Sequence, residues 1–188
     1  MSGELVEAYA IIQHDWKFHV PQEVSEFAWT SARGYRSILS LLSGISINKT
    51  ALNWREPSDS PFRSLFLDRE ISVASKSWIM YRVLDVPAVL RALTPDATGS
   101  FSIRVLDPHL PDNSGPWQVE FADGKVSVSV SEVADLEVDI WRFTQAFLGD
   151  PSLADLARNG LVTVRNDASL AAACALLTPL PVCCLDAF

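Results

Sequence analysis

Trp78-Ile79-Met80-Tyr81-Arg82-Val83-Leu84-Asp85 decides how this chain is read. The apolar run predicts a strand over Trp78–Leu84. Asp85, followed by Pro87 in a first turn, predicts a capped helix with Val86, Val89, Leu90 and Leu93 on its buried side. Working outward, Gly99–Leu106 reads as a strand, and Trp117–Phe121 with Lys125–Val130 as a hairpin around Asp123-Gly124, a pair suited to a type I′ turn. Ala134–Ile140 alternates sharply and leads into a helix bearing Phe143 and Phe147. Asp150-Pro151 reads as the cap of another helix, with Leu153 and Leu156 inward and Gly160 closing it. Leu161–Arg165 is short and extended. Asp167 reads as the cap of a last helix using Leu170, Ala173, Cys174 and Leu177, and Pro181–Leu185 as a final strand.

Upstream, Leu5–Gln13 and Phe18–Ala28 read as two strands joined around His14-Asp15-Trp16. Ser31 opens a helix with Tyr35, Ile38, Leu39 and Leu42 on one face, and Gly44 is its expected C-cap. Ile45–Trp54 reads as a strand, and Pro57–Pro61 as a turn restarting a short helix through Phe66. Strand, strand, helix, strand is half of a mixed sheet. The polar stretch Asp68–Ser77 is the expected boundary, which gives domains 1–77 and 78–188 in an α+β chain.

The 188 residues suffice for one large or two small domains, and 48% hydrophobic with 20% charged residues describe a globular chain. Charge is uneven. Residues 1–77 hold nine acids against eight Lys and Arg, whereas the remainder holds fourteen against seven. Such a field disfavours nucleic acid and anionic membranes and attracts cations such as polyamines; an acidic surface kept for solubility is an equal reading. Met1–Asp15 lacks the basic start and apolar core of a secretory signal. Ala168–Leu185 is interrupted by Ser169, Thr178, Pro179 and Pro181, so a buried helix and strand are expected there, not a span. Cys174, Cys183 and Cys184 form neither a disulfide framework nor a zinc spacing, which fits a reducing cytoplasm.

Few motifs carry chemistry. Arg33-Gly34-Tyr35-Arg36 lacks the spacing of a pyrophosphate-binding turn and lies in a helical pattern. Ser46-Ile47-Asn48-Lys49 spells Ser-x-x-Lys without a companion motif. His14, His19 and His109 have no metal spacing, and no cofactor-binding or metal residues are expected. Asp135, Glu137 and Asp139 fall on one face of a strand, either as a cation or polyamine site or, more simply, as its wet side. Arg82 and Asp85 flank the strand-to-helix junction and Asp107 ends the next strand; they suit a structural ion pair or a ligand contact, and fold maintenance outweighs the latter.

The ordered set Trp78-x-Met80-x-Arg82-x-x-Asp85, Leu90, Asn113-x-Gly115-x-Trp117, Asp123-Gly124, Leu148-Gly149, Leu153/Leu156/Gly160 and Phe188 resembles the C-terminal domain of the enhanced intracellular survival (Eis) acetyltransferases. Residues 1–77 resemble more loosely the end of the second GNAT-like domain of those proteins, through Tyr35–Leu42 and Pro57-x-Asp59. The resemblance implies a partial GNAT-like mixed sheet with a helix, then a sterol-carrier-like α+β domain. It also implies an N-acetyltransferase acting on amines, with acetyl-CoA as co-substrate held by an N-terminal GNAT domain in cis or trans, no metal, and homo-oligomeric assembly. In that family the terminal carboxylate is the base that deprotonates the acceptor amine, a role that would fall here to Phe188. A stand-alone hydrophobic-ligand module, with Trp117, Phe121, Trp141, Phe143 and Phe147 lining a tunnel, is the alternative. So is an accessory subunit that pairs the edge left by residues 5–28 with a separate GNAT domain.

Overall fold

The computed structural model describes residues 5–13, 17–57, 60–65, 71–74 and 80–177. Contacts divide it into two compact units, which meet in sequence between Pro57 and Ser58.

In the first unit, β1 (Ala8–Gln13) pairs antiparallel with β2 (Gln22–Trp29), with a register shift between Ile11 and Ile12. The helix α1 (Ala32–Ile45) follows, and β3 (Leu52–Asn53) joins β2 in parallel, giving the sheet order β1-β2-β3. Ser31 caps α1 by accepting from Gly34 N–H, and Tyr35, Ile38 and Leu42 are buried at helical spacing. Gly34 is required by packing: a Cβ there would lie 2.6 Å from the Glu7 carbonyl oxygen. Tyr35 meets Trp29 at 4.7 Å between centroids, and Phe27 stacks on Trp29 at 5.3 Å.

Four expectations shift here. The strand expected from Phe18 begins only at Gln22, after a turn over residues 18–20. Leu5–Glu7 precede β1 instead of extending it. Helix α1 passes through Gly44 and ends at Ser46, whose N–H donates to the Leu42 carbonyl with right-handed backbone, so no left-handed glycine cap is needed. The strand expected over Ile45–Trp54 is reduced to Leu52–Asn53. Lys49 N–H closes a turn on the Ser46 carbonyl and takes residues 46–49 out of the extended state.

The second unit begins with the short α2 (Phe62–Leu65) and α3 (Val86–Arg91), the latter capped by Asp85 accepting from Ala88 N–H. Trp78 and Ile79 lie outside the described residues, and Met80–Leu84 is not a strand. Side chains answer its backbone in place of a ladder: Val83 N–H donates to Thr144 Oγ1 at 3.1 Å, and Asn113 Nδ2 to the Val83 carbonyl at 3.5 Å. β4 (Gly99–Leu106) then forms the centre of a mixed sheet. It pairs antiparallel with β5 (Trp117–Ala122) and parallel with β7 (Leu136–Asp139); β6 (Lys125–Val130) and β8 (Thr163–Val164) lie outside them, in the order β6-β5-β4-β7-β8. Asp123 and Gly124 both take positive φ between the paired Ala122 and Lys125, which is the backbone of a type I′ turn.

Three helices complete this unit. α4 (Ile140–Leu148) is capped by Asp139, α5 (Leu153–Arg158) by Ser152 and α6 (Asp167–Leu176) by Asn166. The caps differ from the expected Asp150 and Asp167: Ser152 lies two residues closer to α5, while Asp167 is already the first residue of α6 and Asn166 before it accepts from the free Ala168 N–H. Phe101, Ile103 and Val105 of β4 point into a core completed by Leu90, Phe143, Leu156 and Leu176 from the helices. Each such side chain contributes about 1.5–3 kcal/mol by leaving water. Ser100, Ser102, Arg104 and Leu106 take the opposite face. The strand expected at Pro181–Leu185 lies outside the described residues. No helix among the described residues is long and apolar enough to cross a membrane.

Candidate functional site

Asp107 is the polar centre of the second unit. It sits just past β4 with its carboxylate fully buried, and Oδ1 accepts from Arg82 Nη2 at 2.5 Å and from the His109 and Leu110 N–H groups at 3.0 Å each. Oδ2 accepts from Asn113 Nδ2 at 3.1 Å. Asn113 is also buried; its Oδ1 accepts from Val86 N–H at 2.8 Å, and its carbonyl from Trp117 Nε1 at 3.0 Å. Burial pushes the Asp107 carboxyl up, but the hydrogen bonds from Asn113, Leu110 and His109 and the Arg82 charge outweigh it and hold the group below the usual carboxylate range. Arg82 also lies over the Trp141 ring at 5.1 Å, and Trp141 is 54% exposed. The network ties the segment entering α3 to the end of β4. Sequence reading singled out Arg82 and Asp107, and they pair; it missed Asn113 as their link, although Asn113-x-Gly115-x-Trp117 stood out as a motif.

The first unit has its own half-buried carboxylate. Glu56 Oε1 accepts from Trp54 Nε1 at 2.5 Å and from Tyr35 Oη at 2.9 Å. Burial raises its pKa more than these two donors lower it. No sequence pattern marked Glu56, because its donors come from a helix and from a loop tryptophan.

The row Asp135, Glu137 and Asp139 does not converge. Asp135 accepts from Ser169 Oγ at 2.6 Å, Glu137 lies 3.7 Å from Arg165 Nη2, and Asp139 caps α4. No group of three metal-ligating side chains occurs among the described residues. Ser46 Oγ donates to the Ser43 carbonyl and Lys49 Nζ to the Lys17 carbonyl, so the Ser-x-x-Lys pair serves local structure. Arg33 pairs with Glu7 from within α1. Of the five rings considered for a tunnel, Phe121 and Phe143 belong to the core and Trp117 and Phe147 pack against it, whereas Trp141 faces outward. Cys174 is half-buried, and burial raises its thiol pKa. Phe188 lies outside the described residues.

Two mixed sheets, one with helices packed on its core face, define an α+β protein. Residues 86–185 match the sterol carrier protein domain family, and the chain belongs to it. Over 183 residues the chain is 28% identical to a Streptomyces avermitilis protein named an uncharacterized N-acetyltransferase, covering 94% of this chain and 44% of that protein. Among solved structures, a GCN5-related N-acetyltransferase from Anabaena variabilis superposes with a TM-score of 0.79 at 16% identity, over 93% of this chain and 46% of that one. Eis1 from Mycobacterium abscessus gives a TM-score of 0.70 at 26% identity, over 86% and 42% respectively. The chain thus spans less than half the length of these relatives. The expected kinship with GNAT-type acetyltransferases, an Eis protein among them, and with sterol carrier domains is found.

Proposed function

We propose that this chain is the C-terminal, acceptor-side portion of a GNAT-type N-acetyltransferase that moves acetyl from acetyl-CoA to an amine. One observation carries the reading: 94% of the chain aligns with a protein named an N-acetyltransferase, yet fills 44% of it. Residues 1–77 are the end of a GNAT-like domain, and residues 78–188 the sterol-carrier-like domain. The acetyl-CoA site then belongs to an N-terminal GNAT domain, in cis or trans. Support for such a partner comes from β1, whose second edge meets no strand among the described residues and which exposes Tyr9 and Ile11. The net charge of −8 favours a cationic amine acceptor and disfavours nucleic acid. The protein works as a cytoplasmic homo-oligomer without a metal.

The base in this proposal is the terminal carboxylate of Phe188. It attracts an ammonium group, takes its proton, and leaves the amine lone pair free to attack the thioester carbonyl. An α-carboxyl of ordinary pKa, about 3.5, needs shielding from water to act so. Deleting Phe188 from the longer protein abolishes transfer and leaves acetyl-CoA binding intact; unchanged turnover removes the role. The family match supports a second reading, a stand-alone carrier of a hydrophobic ligand. Packing of Phe121 and Phe143 into the core favours the first, and lipid co-purifying with the protein would reverse that preference.

A further inference from the structure

Glu56 is a carboxylate of the first unit that no cation answers. Four ion pairs form among the described residues, and none includes it. It is half-buried, where a charge is costly until a counter-charge or hydrogen bonds compensate it. The bonds it has come from neutral groups. Tyr35 Oη reaches Oε1 at 2.9 Å and Oε2 at 3.1 Å, while Trp54 Nε1 donates to Oε1 alone, at 2.5 Å, so Oε2 keeps room for a further donor. The surroundings are carbonyls and rings. β2 and β3 pair only at Gln22–Leu52 and Glu23–Asn53, while β2 runs on to Trp29. Thr30 N–H donates to the Glu7 carbonyl, so the antiparallel alternation turns the backbone groups of Glu26 and Ala28 toward β1. Those of Phe27 and Trp29 face the other way, where no strand meets them among the described residues. Tyr35 ties this stretch to Glu56, since its ring lies 4.7 Å from that of Trp29 and 6.3 Å from that of Phe27, between centroids. Trp29, Trp54 and Glu56 are each partly exposed, which leaves the cluster within reach of a small ligand.

We propose that a primary alkylammonium ion binds where β2 and the chain after β3 diverge, with its nitrogen against Glu56 Oε2. The carbonyls of Phe27 and Trp29 serve as further acceptors, and the rings of Trp29 and Trp54 flank the alkyl chain. An ammonium carries three N–H donors and no acceptor, which matches a site built of a carboxylate and carbonyls. Aromatic faces attract the same charge. Glu56 repels phosphates and other carboxylates, so the site selects cations. Binding here requires no acetyl transfer and belongs to the 188-residue chain itself.

The probe is n-butylammonium chloride, added to the 188-residue chain at constant ionic strength, and the reporter is the Trp54 indole N–H resonance, assigned with Trp54→Phe. A saturable shift is expected. Its affinity should fall at least tenfold in Glu56→Gln, whose amide oxygen still accepts from Tyr35 and Trp54, and n-butanol should produce no such shift. No saturable shift, equal affinity in Glu56→Gln, or the same shift with n-butanol overturns the proposal. Should Glu56→Gln not fold, intermolecular NOEs in the unaltered chain decide. Contacts from the butyl methylenes to the ring protons of Trp29 or Trp54 are expected; contacts confined to other residues, or none, overturn it. Neither readout involves acetyl-CoA, so the two readings fail separately. A silent Trp54 removes this site alone, whereas a native product of 20.7 kDa removes the acetyltransferase reading and leaves the site.

Discussion

In the second unit, β4 is paired on both edges and its inward side chains, Phe101, Ile103 and Val105, are sealed by four helices. In the first unit, β2 is paired on both edges, but β1 presents a free edge among the described residues, with Leu5, Val6, Tyr9 and Ile11 exposed along or beside it. The same chemistry of burial and pairing therefore ends differently. The second unit closes on itself and, among the described residues, leaves the Nε of Arg104 on the other face of its sheet without a hydrogen-bond partner. The first unit leaves a row of backbone groups and apolar side chains unanswered.

The largest expected effect is at the centre of the closed unit. Asp107→Ala strands Arg82 and the Asn113 amide, and destabilises the second unit by about 3–5 kcal/mol, the range for breaking a buried pair. Urea unfolding followed by amide exchange, resolved by unit, measures it; a loss below 1 kcal/mol would show that Asp107 does not organise the junction. Next comes Leu42→Ala on α1, which removes a buried side chain at a cost of about 2–5 kcal/mol. If the units are independent, the exchange rates of β4 and β5 stay unchanged in this variant.

Acid and base then separate the units. The folded pKa of Asp107 is lowered, so its contribution is present above its unfolded value near 3.9 and is lost as pH falls through the folded value. The folded pKa of Glu56 is raised, so its contribution is full below about 4.3 and is lost as pH rises through the folded value. Asp107→Asn should flatten the acid limb of the second unit, and Glu56→Gln the opposite limb of the first. Stability profiles from pH 3 to 8 check both, and limbs of the same sign would contradict the assignment. The smallest effect on the folded chain is Ile11→Lys at the open edge, within about 0.5 kcal/mol. Its consequence should appear in the longer protein, as loss of assembly by light scattering.

Much of the second unit was legible because its signals are local. Gly99–Leu106 and Lys125–Val130 run to their expected limits, and Asp123-Gly124 turns the hairpin. The misses arise where distant groups replace local ones. Met80–Leu84 is apolar enough for a strand, but Thr144 and Asn113, far along the chain, take its hydrogen bonds. Asp135, Glu137 and Asp139 share a sequence period, yet Ser169, Arg165 and the start of α4 draw them apart. Glu56 and Arg104 carried no motif, since what distinguishes them is burial and the partners they have or lack.

The native polypeptide in its source cell, captured with antibodies against these 188 residues and weighed intact, tests the central claim most directly. The account predicts a product about twice 20.7 kDa that acetylates amines and loses that activity without Phe188. A product of 20.7 kDa, recovered alone and without an acetyltransferase partner, would contradict it.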